Sequence, residues 1–573
     1  MTRLLFSVVL SFLAAFILEQ PRAISQTSAL TRDFISPVRV IWQSGNVSNT
    51  EELLKPGKGQ ADLTNASICV LKNEGETTSS ILLDYGKELH GGLEIVTGMW
   101  SPGNTTRNIR VRFGESASEA MAELGERGAS NDHAIRDFQL QLPWLGKIQV
   151  GESGFRFVRI DLLDADAELH LREVRAIFTY RDIPYVGSFN SSDDRLNTIW
   201  QTGAYTVHLN MQEYLWDGIK RDRLVWVGDL HPEVSTVNTV FGYNEVVPKS
   251  LDLARDVTPL PGWMCGISTY SMWWIILHHD WYMHHADLQY LKEQQPYLAG
   301  LVKQMVSKIG PDGKEMMDGN RFLDWPSSED PEAIHAGLQA MTIWSLSTAA
   351  KLAAILNDGE TQRIAEEGVN RLKKYIPEMG QSKQAAALMA LADLTTAEKA
   401  NTVLAAGGAK NFSTFYGYYM LQAMAKAGNY QGALDVIRNY WGAMLDLGAT
   451  TFWEDFNLDW LPNASRIDEL VPEGKKDIHG DYGAYCYVGF RHSFCHGWAS
   501  GPTSWLTEHV LGIRVTAPGC RELTIKPHLG DLEFAEGTFP TPYGVVRVKH
   551  TKQANGQIKS DIEGPKEVKI VRN

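Results

Sequence analysis

The spacing of apolar positions changes twice along the chain, and the first region is typical of short strands. Between about residues 35 and 185, β-branched and aromatic residues alternate or cluster in the runs 38–42, 81–84, 109–113 and 155–160. Gly- and Asn-rich turns separate these runs, as expected for half-buried antiparallel strands. We therefore predict an N-terminal β-sandwich domain over residues 35–185.

The second region has a helical period. Long amphipathic stretches begin near residue 190 and include 281–302, 335–356, 360–375 and 430–445. This pattern predicts a large all-helical domain over residues 190–510. After residue 511 strand-like runs return at 523–526, 544–548 and 568–570, separated by Pro and Gly, and they predict a small C-terminal β-domain over residues 511–573.

The N-terminus has the three-part form of a secretory signal peptide. Arg3 precedes an apolar run over residues 4–18, and polar residues follow at 24–26. The run is shorter than the roughly 20 apolar residues that span a bilayer. We therefore expect residues 1–26 to be a signal peptide and the protein to be exported, periplasmic or secreted, with no membrane span after processing; a short uncleaved anchor is the alternative.

Composition limits the remaining function classes. The 573 residues should form more than one domain, and 44% apolar and 21% charged residues are ordinary for a globular protein. A net charge of −14 argues against nucleic acid as a partner. The five cysteines form no Cys-x-x-Cys pair, and most should be buried. A disulfide between two of them is possible in an exported protein; Cys486 and Cys495 are the nearest pair in sequence, but spacing does not give the connectivity.

No metal or organic cofactor is predicted. His278, His279, His284 and His285 look like a metal cluster, but no pair has the three- or four-residue spacing of ligands on one helical face. We therefore expect a structural role for these histidines. The oligomeric state is not indicated by the sequence.

The richest chemistry lies in residues 216–229, which combine acids, arginines and tryptophans in one short run. Charges held this closely beside aromatic rings must be paired if they are buried. The composition is that expected of a sugar pocket containing a carboxylic acid. A salt-bridged junction between a loop and a helix is the alternative interpretation.

This run resembles the signature of glycoside hydrolase family 78, the α-L-rhamnosidases, which reads approximately Asp-Cys-Pro-x-Arg-(Asp)-Glu-Arg-x-Gly-Trp-x-Gly-Asp. Asp217, Arg221, Arg223, Trp226, Gly228 and Asp229 match it. The Cys-Pro is replaced here by Gly218 and Ile219, and Asp222 replaces the general-acid Glu. The carboxyl is thus drawn back by about 1.5 Å, the length of one C–C bond. Further pieces match in the family's order, at residues 84–92, 111–115, 154–161, 323–325, 448–454 and 493–496.

The resemblance implies a fold and a set of site residues. The helical domain should be an (α/α)6 barrel, with Asp222 as general acid and Glu454 as general base of an inverting reaction. In inverting enzymes the two carboxyls lie about 6.5–9.5 Å apart, leaving room for a water. Sugar contacts are expected from Asp217, Arg221, Trp226, Asp229, Asp324, Trp325, Trp453 and His496.

The predicted roles depend on charge states. Asp222 would need a pKa raised by burial near Trp226, whereas Glu454 should stay ionised. Arg221 and Arg223 would lower the pKa of Asp222 if their side chains point at it. The nearby acids that could replace the predicted pair are Glu233, Glu329 and Asp330.

The sequence therefore predicts an exported, inverting, exo-acting hydrolase that takes terminal α-L-rhamnose from plant or algal polysaccharides or glycosides. The Asp-for-Glu replacement keeps two alternatives open, namely the same scaffold acting on another deoxy- or uronic sugar, and a catalytically degenerate carbohydrate-binding protein. A polysaccharide lyase is a further alternative, because toroidal helical folds host lyases, which would use a Tyr or His base.

Overall fold

A computed structural model describes residues 29–66 and 68–572. The predicted signal peptide lies outside this part of the chain. Within it, no helix is both long and apolar enough to cross a membrane.

The first domain is built on one nine-stranded antiparallel sheet. Its main path runs β3-β4-β9-β5-β8-β6-β7, with β1 added on β9 and β2 on β5. Register shifts in β5, between Asp84 and Leu89 and between Gly91 and Leu93, are bulges of the kind that bend a strand. The bounds are β1 Leu30–Ile35, β2 Arg39–Ser44, β3 Asn46–Ser48, β4 Cys69–Lys72, β5 Ser80–Thr97, β6 Arg107–Gly114, α1 Ala117–Met121, β7 Asp137–Leu142, β8 Lys147–Leu162 and β9 Glu168–Arg181.

The helical domain is a closed double ring. Helices α3, α5, α7, α9, α11 and α13 each contact the next, and α13 contacts α3 again, while the other helices alternate with them in sequence. This arrangement confirms the predicted (α/α)6 barrel. The bounds are α2 Asp194–Asn210, α3 Leu230–Val240, α4 Val246–Asp256, α5 Ser268–His285, α6 Leu288–Ser307, α7 Pro331–Ile355, α8 Gly359–Leu372, α9 Lys383–Leu391, α10 Ala397–Ala405, α11 Gly417–Lys426, α12 Tyr430–Asp446 and α13 Gly501–Trp505.

Local sequence explains where the helices start and which face they bury. Side chains of Asp193, Asp330 and Asn429 accept backbone N–H groups at the starts of α2, α7 and α12. The inner helix α5 buries Trp273 and Trp274 on adjacent positions, because an inner helix is surrounded by neighbours on every side. Outer helices such as α8 keep a polar face.

The C-terminal β-domain has a four-stranded sheet, β10-β15-β16-β17, and a three-stranded sheet, β13-β14-β18. One strand, β10, precedes the barrel in sequence and pairs with β15, so a short segment before residue 190 belongs structurally to this domain. The bounds are β10 Ser188–Ser191, β13 Ile513–Ala517, β14 Glu522–Ile525, β15 Phe534–Thr541, β16 Gly544–Lys552, β17 Ile558–Glu563 and β18 Lys569–Arg572.

Three long connections of the barrel carry the chemistry predicted above. They are α2–α3 (residues 211–229), α6–α7 (residues 308–330) and α12–α13 (residues 447–500). The last contains a small hairpin, β11 Gly483–Ala484 and β12 Tyr487–Val488. Loops held on a rigid scaffold are where function concentrates.

Candidate active site

A cavity of about 270 Å³ lies among these three connections. Predicted site residues lining it are Asp217, Arg221, Asp222, Trp226, Asp229, Trp325, Glu454 and His496. The sequence analysis missed seven other lining residues, Ile267, Tyr270, Asn320, Phe322, Cys486, Tyr487 and Trp498. Phe322 and Trp498 lie within a few residues of matched motifs, so proximity in sequence was the one available signal for them.

Asp217 organises the loop that carries Asp222. Its Oδ2 accepts the backbone N–H of Asp222 at 2.9 Å, and its Oδ1 accepts the N–H of Leu224 at 2.8 Å. Burial raises the pKa of Asp217 to about 6, while the charge of His496 and the two amide donors pull it down. Asp217 therefore fixes the turn of the loop in addition to facing the cavity.

Asp222 is held by three neighbours. Its Oδ1 accepts Arg221 Nε–H at 3.0 Å and its Oδ2 accepts Trp226 Nε1–H at 3.1 Å, while His133 Nε2 lies 3.1 Å from Oδ1. Burial raises the pKa of this carboxyl, but the charge and hydrogen bond of Arg221 together with the charge of His133 outweigh burial, and the pKa lies below its ordinary value. Asp222 is thus ionised, the opposite of what the predicted general-acid role requires.

The two arginines of the motif face different directions. Arg221 is buried and its guanidinium lies over the ring of Tyr487, 5.1 Å from the centroid. Arg223 instead bonds Glu152 at 2.7 Å and lies over the indole of Trp216. Of the two cations, Arg221 alone contacts the Asp222 carboxylate.

Glu454 lies at the opposite side of the same guanidinium. Its Oε2 accepts the Ser493 N–H at 3.1 Å and lies 3.7 Å from Arg221 Nη1, and its Oε1 lies 3.7 Å from His496 Nδ1. Burial raises its pKa to about 7, against the lowering effect of the Arg221 and His496 charges. Glu454 therefore exchanges its proton near neutrality rather than staying ionised throughout.

Asp229, another carboxyl of the cavity wall, contacts Tyr270 and His496. Tyr270 donates its hydroxyl proton to Asp229 Oδ1 at 2.7 Å, and His496 Nε2 lies 3.3 Å from Asp229 Oδ2. Burial raises the pKa of Asp229 well above its ordinary range. His496 thereby stands between the carboxyls of Asp229 and Glu454.

One guanidinium contacts both predicted catalytic carboxylates, Arg221 Nε at 3.0 Å from Asp222 Oδ1 and Nη1 at 3.7 Å from Glu454 Oε2. Because the guanidinium is planar and rigid, these two oxygens lie at most about 9 Å apart.

Two predicted sugar contacts lie outside the cavity wall. Trp453 is buried and stacks on Phe494 with ring centroids 4.1 Å apart; adjacent residues of this irregular segment project to opposite sides, and Glu454 takes the cavity side. Asp324 is buried behind the wall, where its carboxylate accepts the Trp325 N–H at 3.0 Å and bonds with Gln384 and Ser413. Asp324 thus positions Trp325 and does not face the cavity.

The alternative acids are placed elsewhere. Glu329 is exposed, and Asp330 caps α7. Glu233 is buried one turn beyond Asp229, does not line the cavity and has no hydrogen-bond partner for its carboxyl among the described residues. Its pKa is raised well above the ordinary range by burial.

The cysteines form no disulfide, and one group of side chains has the spacing of metal ligands among the described residues. All five cysteines are free, so the possible Cys486–Cys495 disulfide is not formed; Cys495 is buried and Cys486 lines the cavity. Among the described residues, one group has the spacing of metal ligands, Glu115, Glu119 and His479. Lys220 Nζ already lies 2.9 Å from Glu115 and 3.2 Å from Glu119, and it supplies the cation for that group.

Comparison with known proteins places the chain among glycosidases. The family model for the bacterial alpha-L-rhamnosidase 6 hairpin glycosidase domain matches residues 184–510, and that for the bacterial alpha-L-rhamnosidase C-terminal domain matches residues 512–571. A curated alpha-L-rhamnosidase of Alteromonas sp. (strain LOR) is 23% identical over 564 residues, covering 89% of this chain and 58% of that protein. The chain therefore spans little more than half the length of this relative.

Two solved structures establish the fold. The GH78 family rhamnosidase of Bacillus sp. GL1 superposes with a TM-score of 0.74 at 22% identity, over 92% of this chain and 55% of that one. A rhamnosidase from Klebsiella oxytoca, solved with rhamnose bound, gives 0.66 at 20% identity, over 84% of this chain and 96% of that one. With the helical-domain model matching more than half of its residues, this chain belongs to the bacterial alpha-L-rhamnosidase six-hairpin glycosidase family.

Proposed function

We propose that this protein is an inverting, exo-acting glycoside hydrolase that releases terminal α-L-rhamnose from plant or algal polysaccharides or glycosides. The observation that carries the proposal is the placement of Asp222 and Glu454 on one arginine in the wall of a small cavity. The names of its relatives support rhamnose as the sugar.

The cavity wall favours a neutral deoxy-sugar over a uronic sugar. Among the described lining residues Arg221 is the only arginine or lysine, and it already contacts two carboxylates. A sugar carboxylate would therefore meet acids without a free cation to pair with. The aromatic and aliphatic lining supplies an apolar surface for a sugar methyl group and ring face, through Trp226, Ile267, Tyr270, Phe322, Trp325, Tyr487 and Trp498.

The cavity size favours exo-action. Its volume of about 270 Å³ lies just below the range of ligand sites, which is roughly 300–1,000 Å³. Such a space suits one terminal sugar ring. A long groove, which an internal cut would require, would be larger.

Glu454 suits the role of general base. Its pKa of about 7 allows it to take a proton from water near neutrality. Arg221 and His496, each 3.7 Å away, stabilise its ionised form. In this assignment a water held by Glu454 attacks the anomeric carbon while the leaving oxygen gains a proton on the Asp222 side.

The test is hydrolysis of an aryl α-L-rhamnoside by the wild type, Asp222→Asn, Glu454→Gln and the control Glu329→Gln, with proton NMR of the first anomer released. We expect inverted rhamnose from the wild type and the exposed control. Each active-site variant should lose about 10²- to 10⁴-fold in kcat. Release with retained configuration would overturn the inverting assignment.

A second candidate function, sugar binding without turnover, is favoured by one observation. Asp222 is ionised by its pairing with Arg221, so in the free protein it has no proton to give. Calorimetry with L-rhamnose separates the two candidates. Binding without release from any aryl rhamnoside between pH 4 and 8 would establish the binding role and exclude the hydrolase.

A further inference from the structure

His133 brings the N-terminal β-domain to the active site. It lies in the loop between α1 and β7, and its Nε2 is 3.1 Å from Asp222 Oδ1. Its side chain is 26% exposed, so it is partly shielded yet remains in contact with solvent. No sequence motif pointed to this residue.

The groups around His133 carry charges of both signs. Asp132 Oδ2 lies 3.5 Å from the same Nε2 and Arg491 Nη2 lies 3.4 Å from it, while Arg491 itself pairs with Asp132 at 3.1 Å. Glu152 and Arg223, which pair with each other, line the same neighbouring cavity. The two carboxylates nearest the ring are those of Asp132 and Asp222.

Asp222 separates His133 from the substrate cavity. Asp222 lines that cavity, whereas His133 lines a second one of about 570 Å³ on the side of the β-domain. A proton on His133 can therefore reach the substrate only through the Asp222 carboxyl, and it can be replaced from solvent on the other side.

The position of His133 bears on how the leaving oxygen can obtain a proton. A carboxylate paired with arginine is a poor proton donor by itself, and Asp222 is one methylene shorter than the glutamate of the family pattern. A histidine beside it changes the proton supply, since histidine is the side chain that ordinarily gains and loses a proton near neutrality.

Resting on the proposed function, we propose that His133 supplies, through Asp222, the proton taken up by the leaving oxygen. As the bond between the anomeric carbon and this oxygen breaks, the oxygen receives a proton from Asp222, and Asp222 receives one from His133 Nε2. The attacking water gives its proton to Glu454. His133 ends neutral and regains a proton from solvent, so protons and electrons balance. Because it acts through Asp222, His133 is a positioning residue.

The experiment compares two glycosides that differ in their need for the proton. Dinitrophenolate leaves readily without protonation, whereas phenolate does not. We expect His133→Gln to lose at least tenfold in kcat/KM on phenyl α-L-rhamnoside and to stay within about threefold of wild type on the 2,4-dinitrophenyl glycoside. The alkaline limb of the pH profile on the phenyl glycoside should disappear as well. Because both rates are measured on one preparation, their ratio does not depend on how much variant has folded.

The matched control is Asp132→Asn. Asp132 also neighbours the His133 imidazole, but unlike Asp222 it does not line the substrate cavity. This variant should change the ratio by less than His133→Gln does. Equal losses on both glycosides in His133→Gln, or no loss on either, would overturn the inference while leaving the hydrolase assignment intact. If the wild type cleaves neither glycoside, the proposed function fails and the inference with it.

Discussion

The loop from Asp217 to Asp229 has buried carboxylates on two sides, and the two sets of carboxylates differ in how closely side-chain nitrogen donors approach them. On one side Lys220 Nζ lies within 3.2 Å of Glu115 and Glu119 and donates to the carbonyl oxygens of Phe490 and His492. That cluster joins the β-domain, the motif loop and the α12–α13 connection. All three N–H donors of its ammonium group are therefore used.

On the other side Arg221 holds Asp222 at 3.0 Å, but the side-chain nitrogen donors stand further from Glu454 and Asp229. Arg221 lies 3.7 Å from Glu454, and His496 lies 3.3 Å from Asp229 and 3.7 Å from Glu454. His496 Nδ1 is buried and has no hydrogen-bond partner among the described residues. Donors left at these distances can bond the hydroxyls of a sugar and a water, which the closed Lys220 cluster cannot do.

Titration alone does not distinguish the two sides. Burial raises the pKa of Glu115 to about 7, as it does for Glu454, although Lys220 draws the first down and Arg221 the second. A raised pKa therefore marks burial on both sides of the loop, and the unpartnered Nδ1 of His496 distinguishes the side that lines the cavity.

The largest effect on stability is expected from breaking the closed cluster. Lys220→Met leaves Glu115 and Glu119 buried without a cation, and removal of one partner of a buried ion pair costs about 3–5 kcal/mol. Urea unfolding should show this loss. Lys249→Met, in an exposed pair with Glu213, is the control and should change stability by less than about 1 kcal/mol. A loss below 1 kcal/mol for Lys220→Met would mean that the cluster does not hold the β-domain, the motif loop and the α12–α13 connection together.

The side of the loop that holds Glu454 should make the free energy of unfolding depend on pH. Folding raises the pKa of Glu454 from 4.5 to about 7, so the native state holds this proton more tightly than the unfolded chain. Its stabilising contribution is complete below pH 4.5 and is lost as the pH rises to about 7.

Glu454→Gln should remove this dependence. Relative to the variant, the wild type should lose about 3 kcal/mol of unfolding free energy between those two pH values and no more above them. Chemical unfolding of both proteins from pH 4 to 8 measures the difference. The exposed Glu329→Gln serves as control and should run parallel to the wild type; parallel curves for Glu454→Gln as well would contradict the expected shift.

The sequence was sufficient for the architecture and for which loops meet. Apolar periodicity located the strand-rich and helix-rich regions, although the predicted helical stretch 281–302 runs across the break between α5 and α6. The motif resemblance brought residues 217–229 and 448–454 to one site, where Asp222 and Glu454 do share Arg221. It could not give side-chain direction. Trp453 precedes Glu454 yet packs into the core, and Asp324 precedes Trp325 yet lies behind the wall, because neighbours in a loop project differently.

Contacts between distant segments were also beyond the sequence. His133 reaches Asp222 from another domain, and Lys220 joins segments more than 250 residues apart, from Glu119 to the carbonyl of His492. Neither contact has a local spacing or composition that would reveal it. The charge of Asp222 depends on one of these contacts and on the direction of Arg221, whereas the raised pKa of Glu454 comes from its burial; neither can be read from the order of residues in the chain.

The smallest effect is expected at Arg223, which the family pattern includes with Arg221. Its guanidinium contacts Glu152, which is 63% exposed, and the face of Trp216, both away from the cavity. An exposed ion pair and a cation–π contact each contribute about 1 kcal/mol or less. Arg223→Gln should therefore keep kcat within about threefold, whereas Arg221→Gln, the same change two residues earlier, removes the bridge between both carboxylates and should lose at least a hundredfold in kcat. Aryl rhamnoside kinetics on the pair measure this contrast, and equal losses would place Arg223 in the site despite its direction.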